Sequence, residues 1–280
     1  MKEVSIVTDS TTDIPNDLAK AYDIAIVPLV VNFGDESFLD GELSQEQFFE
    51  RMNASAKLPT TSQPAVGVFV EMYQKQLETA RTVVSIHVSS ALSGTIESAR
   101  EAARQFGERV HVFDTLNLSM GEGMQVIEAA RTAATGAGVQ EVLRALDDAR
   151  RKVKMIVGLD KVDNLAKGGR IGKVAALLGG MLSLRVLFTV ADVGSFEPVA
   201  RVRGAKAAMD ETLSWVEQQM GSCRRARFAI MHALSPDKAT WLEERLRERY
   251  TIEELNIVKV GPVIATHTGT GWGVALLPLD

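Results

Sequence analysis

Val83-Val84-Ser85-Ile86-His87-Val88, followed by Ser89-Ser90-Ala91-Leu92-Ser93-Gly94-Thr95, is the stretch on which the fold turns. Four of the first six residues are apolar and β-branched, which suits a buried strand. The next seven are rich in hydroxyls and carry a glycine next to last, a loop composition. Residues 95–106 then place apolar side chains at helical spacing, and Val110-His111-Val112-Phe113 returns to a strand pattern. Strand, loop, helix and strand in that order make a βαβ unit, whose two strands lie parallel.

The same pattern extends on both sides. Residues 4–7 form an earlier apolar run, ended by Thr8-Asp9-Ser10-Thr11, with Pro15 placed to open a helix. Residues 24–31 read as a second strand. Ser44-Gln45-Glu46-Gln47 has the spacing of a capping box. Thr60-Thr61-Ser62-Gln63-Pro64 reads as a loop before a helix over residues 66–80, and residues 114–119 lead into an Ala-rich helix. From about Lys154 hairpins mix with helices: the runs 187–190 and 196–202 flank Asp192-Val193-Gly194, and the chain closes on two strands. The expected fold is α/β, with an N-terminal domain over residues 1–155 built on a mostly parallel sheet flanked by helices. A smaller α+β domain follows over residues 156–280.

Composition narrows the function. Of 280 residues, 46% are hydrophobic and 24% charged, enough for a substantial core. Thirty-six acids against 31 bases give a net charge of −5, which argues against a nucleic-acid binder. The lone Cys223 provides neither an internal disulfide nor a zinc site. No apolar run approaches the ~18 residues of a membrane span, and the N-terminal run is too short for a signal peptide. A cytoplasmic protein without integral membrane association is expected.

Three hydroxyl-rich loops, at residues 8–12, 60–63 and 89–95, precede helices at the sheet edge where open α/β folds bind ligands. Each is open to two readings: a plain helix cap, or an anion site made of hydroxyls and free backbone N–H groups. No GxxxxGK[ST] loop is present, so nucleotide binding of that type is unsupported. Gly269-Thr270-Gly271-Trp272-Gly273 has the wrong spacing for a dinucleotide fingerprint. No GxSxG elbow occurs, and the four histidines show no metal-site spacing. His267 alone stands out, at the head of a glycine-rich loop near a strand end.

Taken together, Thr8-Asp9-Ser10-Thr11, Thr61-Ser62-Gln63-Pro64, the 89–95 loop, Ser119-Met120-Gly121-Glu122-Gly123, Lys167-Gly168-Gly169-Arg170-Ile171 and His267-Thr268-Gly269-Thr270-Gly271 resemble, in order, the signature segments of the DegV family. That family includes the fatty-acid-binding (FakB) subunits of bacterial fatty acid kinase. The resemblance implies a monomer holding a long-chain fatty acid between its two domains, with no cofactor and no metal. A separate ATP-binding kinase subunit would phosphorylate the carboxylate, and the acyl phosphate would feed phospholipid synthesis. It places the carboxylate at Thr61, Ser62, Ser93 and Gly94, with His267 nearby. Arg170 and Arg203 would meet the partner or the acyl phosphate, whereas Lys173 reads as solvated charge.

Magnitudes agree with such a ligand. Donors replacing the hydration of a carboxylate bring the head group near break-even. About fifteen methylenes at ~0.8 kcal/mol each offer roughly 12 kcal/mol before binding entropy. Tail walls are expected from Ile26, Val27, Leu29, Met120 and Leu178, each of which also suits a core position. The sequence departs from the family pattern at Ala65-Val66, Thr270 and Trp272, the last of which stands to reshape the mouth or the tail path. Two other functions stay open: a lipid hydrolase or acyltransferase using Ser93 and His267, with Asp9 as a third member, and a lipid sensor without a kinase.

Overall fold

The computed structural model describes residues 1–170, 172 and 184–279. Lys173 and Leu178, and Ile171 of the glycine-arginine segment, lie outside the described residues. The first half is the expected parallel sheet, in the order β2-β1-β6-β7. Its strands are β1 (Lys2–Asp9), β2 (Ala25–Val27), β6 (Ala80–His87) and β7 (Val110–Asp114). Helices α1 (Asn16–Ala21), α3 (Val66–Leu77) and α4 (Thr95–Ala103) connect them. The deciding stretch forms as read: Val83 pairs with Val110 and Ile86 with Phe113 in parallel register.

The reading of residues 24–31 as one strand is corrected. Pro28 has no N–H for a ladder, and the run splits there into β2 and β3 (Val30–Phe33) in different sheets. Strand β3 is the centre of a small antiparallel sheet with β4 (Glu36–Leu39) and β5 (Thr60–Ser62). The 60–64 segment is therefore part strand, with Thr61 opposite Val31. Between β4 and β5, α2 (Gln45–Ala54) starts on the expected box: Ser44 accepts from the Gln47 N–H, and Gln47 Oε1 from the Ser44 N–H.

Helices α5 (Ser119–Ala134) and α6 (Val139–Lys152) lead to a six-stranded mixed sheet, in the order β10-β9-β8-β13-β11-β12. Its members are β8 (Lys154–Leu159), β9 (Leu184–Val190), β10 (Phe196–Arg203), β11 (Arg225–Ala233), β12 (Thr251–Lys259) and β13 (Gly271–Pro278). The hairpin β9–β10 is antiparallel, as its turn signal requires. Short helix α7 (Asp163–Lys167) follows β8; α8 (Ala205–Met220), α9 (Pro236–Arg249) and α10 (Pro262–Thr268) complete the chain.

Period-two alternation gives this sheet two apolar faces. Ile156, Phe228, Ile230, Trp272 and Val274 pack with α8 and α9. Met155, Leu159, Ala229, Met231 and Leu277 face the other way and join α5, Val4 and Ile6 in one continuous core. Among the described residues no helix is long and apolar enough to cross a membrane.

Candidate binding site

Between α10, the end of β6 and the start of β10 lies a cavity of ≈ 490 Å³ of empty space. Thr61, Ser93, Arg170 and His267 supply most of its polar lining, against Leu29, Val88, Leu118, Leu165, Phe196 and Ile264. A second cavity of ≈ 420 Å³ adjoins it, since Leu118, Phe196, Ile264 and Thr268 line both. That second space is almost wholly apolar, walled by Met155, Val157, Phe188, Met231 and Ala233 of the inner sheet face.

The polar end is built by convergence. Strand β5 presents Thr61 inward, and helix α10 presents His267 in its last turn rather than in the expected loop. Thr61 Oγ1 and His267 Nε2 are 2.8 Å apart. Burial, reinforced by the Arg170 cation, pulls His267 down to about 4, so the imidazole is neutral at pH 7. Its Nδ1 is buried without a partner among the described residues. A bare ring acceptor is tolerated there better than an unpaired N–H, which favours the Nε2–H tautomer donating to Thr61. The Thr61 O–H is then free to donate into the cavity. Ser93 Oγ accepts the Thr95 N–H (3.2 Å) and shares a bond with Thr95 Oγ1 (2.9 Å).

Other expected residues are placed elsewhere. Ser62 points to the exposed face of β5, where its Oγ accepts from Asn32 Nδ2 at 3.0 Å. Gly94 lies under Gln63, where a Cβ would overlap the carboxamide; Gln63 in turn donates to Ser98 Oγ at 2.9 Å. Arg170 stands at the exposed rim, donating to Gly168 O (2.8 Å) and Leu92 O (3.4 Å). Arg203 is outside the cavity. Phe196 lines it at the start of β10, and seven residues of strand carry Arg203 about 23 Å further along. Of the expected tail walls among the described residues, Leu29 lines the cavity, whereas Ile26, Val27 and Met120 pack in the cores. The Trp272 ring packs into the α8–α9 core, donating to Thr212 Oγ1 at 3.1 Å; the residue borders the apolar cavity and is absent from the lining of the polar one.

The Ser93–His267 hydrolase arrangement is not assembled. His267 bonds to Thr61, its Nδ1 has no carboxylate, and Asp9 is engaged with His87. Asp9, His87 and Ser85 do have a triad's order of contacts: Nδ1 to Asp9 Oδ2 is 2.9 Å and Ser85 Oγ to Nε2 is 2.6 Å. All three are fully buried or nearly so, and Tyr73 OH also donates to Ser85. With no route for substrate, this chain of bonds is structural. It also resolves the 8–12 loop: Asp9, Ser10 and Thr12 are spent on internal bonds, and only Thr11 reaches the cavity.

Sequence reasoning missed three acids beside the site, the buried Glu122 and the half-buried Asp13 and Asp40. Burial pushes Asp13 up to about 7 and Asp40 up to about 6. Glu122, enclosed with Thr8 and Thr11, is raised well above the carboxylate range by burial and then by Asp9. Asp13 ends the hydroxyl cluster with left-handed backbone (φ 51°), a position few residues but Asp or Asn accept; Asp40 gave no signal.

Parallel and mixed sheets enclosing an apolar space with one hydroxyl-bearing end define an α/β protein with an internal, mostly apolar pocket. The chain belongs to the DegV family, described as a family of uncharacterised protein, whose profile matches residues 3–279. DegV domain-containing protein YejH of Lactococcus lactis is 35% identical over 98% of each chain. Among solved structures, a DegV family protein from Thermus thermophilus, described by its fatty acid binding, superposes with a TM-score of 0.94. It is 35% identical over 100% of both chains. DegV of Bacillus subtilis, described as a fatty acid binding protein, gives 0.89 at 27% identity, over 99% of this chain and 100% of the other.

Proposed function

We propose that this protein binds a long-chain free fatty acid, its carboxylate at Thr61, Ser93 and His267 and its tail in the apolar cavity beyond. The observation that carries the reading is the Thr61–His267 pair at the polar end of two adjoining cavities. A neutral imidazole that occupies the threonine's acceptor leaves an O–H donor for an anion, and the Arg170 cation at the rim favours a carboxylate there. The fatty acid binding described for the Thermus thermophilus and Bacillus subtilis relatives supports it.

In this reading the chain is a cytoplasmic, monomeric carrier, and the chemistry belongs to a separate kinase subunit. A carboxylate oxygen of the bound acid attacks the γ-phosphorus of ATP, ADP leaves, and acyl phosphate passes to phospholipid synthesis. The absence of a phosphate loop from the sequence agrees with that division, and Arg170 at the rim has the fork geometry that suits phosphate oxygens. Arg203, remote from the cavity, is assigned to the kinase interface rather than to the acyl phosphate.

Native mass spectrometry of protein purified from cells tests the first step, and a long-chain acid is the expected added mass. Protein recovered empty that also refuses added oleate rejects the reading. Conversion of bound oleate to acyl phosphate by the kinase subunit and ATP tests the second; a kinase that turns over oleate equally well without this protein rejects the carrier role.

A further inference from the structure

Helix α10 carries His267 in its last turn and is tied down at its other end by two carboxylates from the first forty residues. The helix opens Gly261-Pro262-Val263, and Pro262 has no N–H to offer. Of the N–H groups left, Gly261 donates to Asp13 Oδ1 at 2.8 Å and Val263 to Asp40 Oδ1 at 3.2 Å. The remaining carboxylate oxygens are held as well. Ser119 Oγ donates to Asp13 Oδ2, and Ser10 Oγ to Asp40 Oδ2 at 2.8 Å. A Cβ at Gly261 would stand 3.2 Å from Asp13 Oδ1 and 3.3 Å from Asp40 Oδ1, so both acids converge on one backbone position.

One short polar side chain satisfies an ordinary helix start. Two carboxylates drawn partly out of water at the same place are costly; Asp40 adds repulsion to Asp13, and Asp9 adds it to Asp40. Asp13 and its partner Ser119 both hold left-handed backbone, φ 51° and 48°. Such conformations persist where surrounding contacts over-determine them, and they gather near functional sites. Ser119 itself borders the apolar cavity. The arrangement joins the turn after β1, the start of α5 and the start of α10 at one point.

We propose that Asp13 and Asp40 are positioning residues for the head-group site: by fixing the first turn of α10 they set where His267 stands against Thr61. The ligand named in the test rests on the fatty-acid reading, whereas the placement of His267 is a property of the free protein. His267 is five positions beyond Pro262, about 7.5 Å of helix rise, so a tilt at the anchored end moves the imidazole.

The test is an NMR titration of the His267 imidazole, with amide exchange over residues 264–267, in Asp13→Ala, Asp40→Ala and the matching Asn variants. Asp210→Asn, on the exposed face of α8, is the control. In the alanine variants His267 is expected to titrate at least one pH unit higher, approaching its ordinary 6.5, with exchange in α10 at least tenfold faster and oleate bound about tenfold more weakly. Asparagine keeps an acceptor for each N–H, so those variants are expected to shift His267 by about half a pH unit. Folded alanine variants with unchanged titration and exchange overturn the proposal. If they do not fold, unchanged titration in both asparagine variants does so. Wild-type protein that binds no oleate sinks the fatty-acid reading alone, since the titration still decides the role of the two acids.

Discussion

Gly168 and His267 share one space: a Cβ added at residue 168 would overlap the imidazole Nδ1. The backbone of Gly168 is ordinary right-handed helix, φ −75° and ψ −6°, so the position needs glycine for room alone. Its neighbour Gly169 needs it for conformation, at φ 72°. The glycine pair thus does two jobs, and only the first concerns the site.

Gly168→Ala is therefore expected to displace His267 and weaken oleate binding about 10- to 100-fold, the worth of one hydrogen bond to a charged group. Gly169→Ala is expected to lower stability by roughly 1 kcal/mol with a smaller effect on binding. Fluorescent fatty-acid displacement and urea unfolding separate the two. Equal binding losses in both variants would contradict the assignment.

Thr61 and His267 act as a pair. Thr61→Val and His267→Phe are each expected to weaken oleate binding, and the double variant by less than the sum. A coupling energy of about 1–2 kcal/mol is anticipated for a partly buried bond of this kind. Strict additivity in the double-mutant cycle would show that the 2.8 Å contact is not used when ligand is bound.

Stability is expected to fall as pH rises from 5 to 7. Folded values of about 7 for Asp13 and about 6 for Asp40 exceed their ordinary 3.8. In that window the folded state therefore holds more protons than the unfolded chain, and stability present near pH 4 is lost as pH climbs. His267, at about 4 against an ordinary 6.5, works the opposite way, because the unfolded chain takes up the proton. Two acids outweigh one imidazole, and Glu122 adds to them. Each net proton contributes up to about 1.4 kcal/mol per pH unit. Urea unfolding at several pH values measures the slope, and Asp13→Asn is expected to flatten it.

Ala233 borders the apolar cavity and is 2% exposed. Ala233→Leu adds three carbons to that space, so stearate is expected to lose affinity while laurate, which does not reach so far, keeps most of it. At ~0.8 kcal/mol for each methylene left unburied, displacing two or three costs stearate roughly ten- to fiftyfold. A uniform loss across chain lengths would place the tail elsewhere.

Much of this was legible from local pattern. The strand-loop-helix units around Ser93, the box at Ser44 and the β9–β10 hairpin follow from periods and turn residues within a dozen positions. Strand β5 was not legible: three residues show no period, and Thr61 becomes a strand residue only by pairing with Val31 thirty positions away. Helix α10 is too short for a helical period to show, although Pro262 just inside its start and Gly269 just past its end mark its limits. The hydroxyls of Thr61 and Ser93 pointed at the site because polar residues beside apolar runs draw notice. Asp40 did not, because an acid in a loop reads as solvated until tertiary packing buries it. Ser62 and Gly94 show the converse, since proximity in sequence to Thr61 and Ser93 says nothing about which face a side chain takes.

The continuous core that links Val4 and Ile6 through α5 to Met231 and Leu277 has a consequence for how the molecule comes apart. Neither sheet owns that core, so peeling one from the other exposes the buried flank of α5 on both. Partial melting then gains little chain entropy for a large exposure of oily surface. Heating is expected to produce a single calorimetric peak whose van't Hoff and measured enthalpies agree.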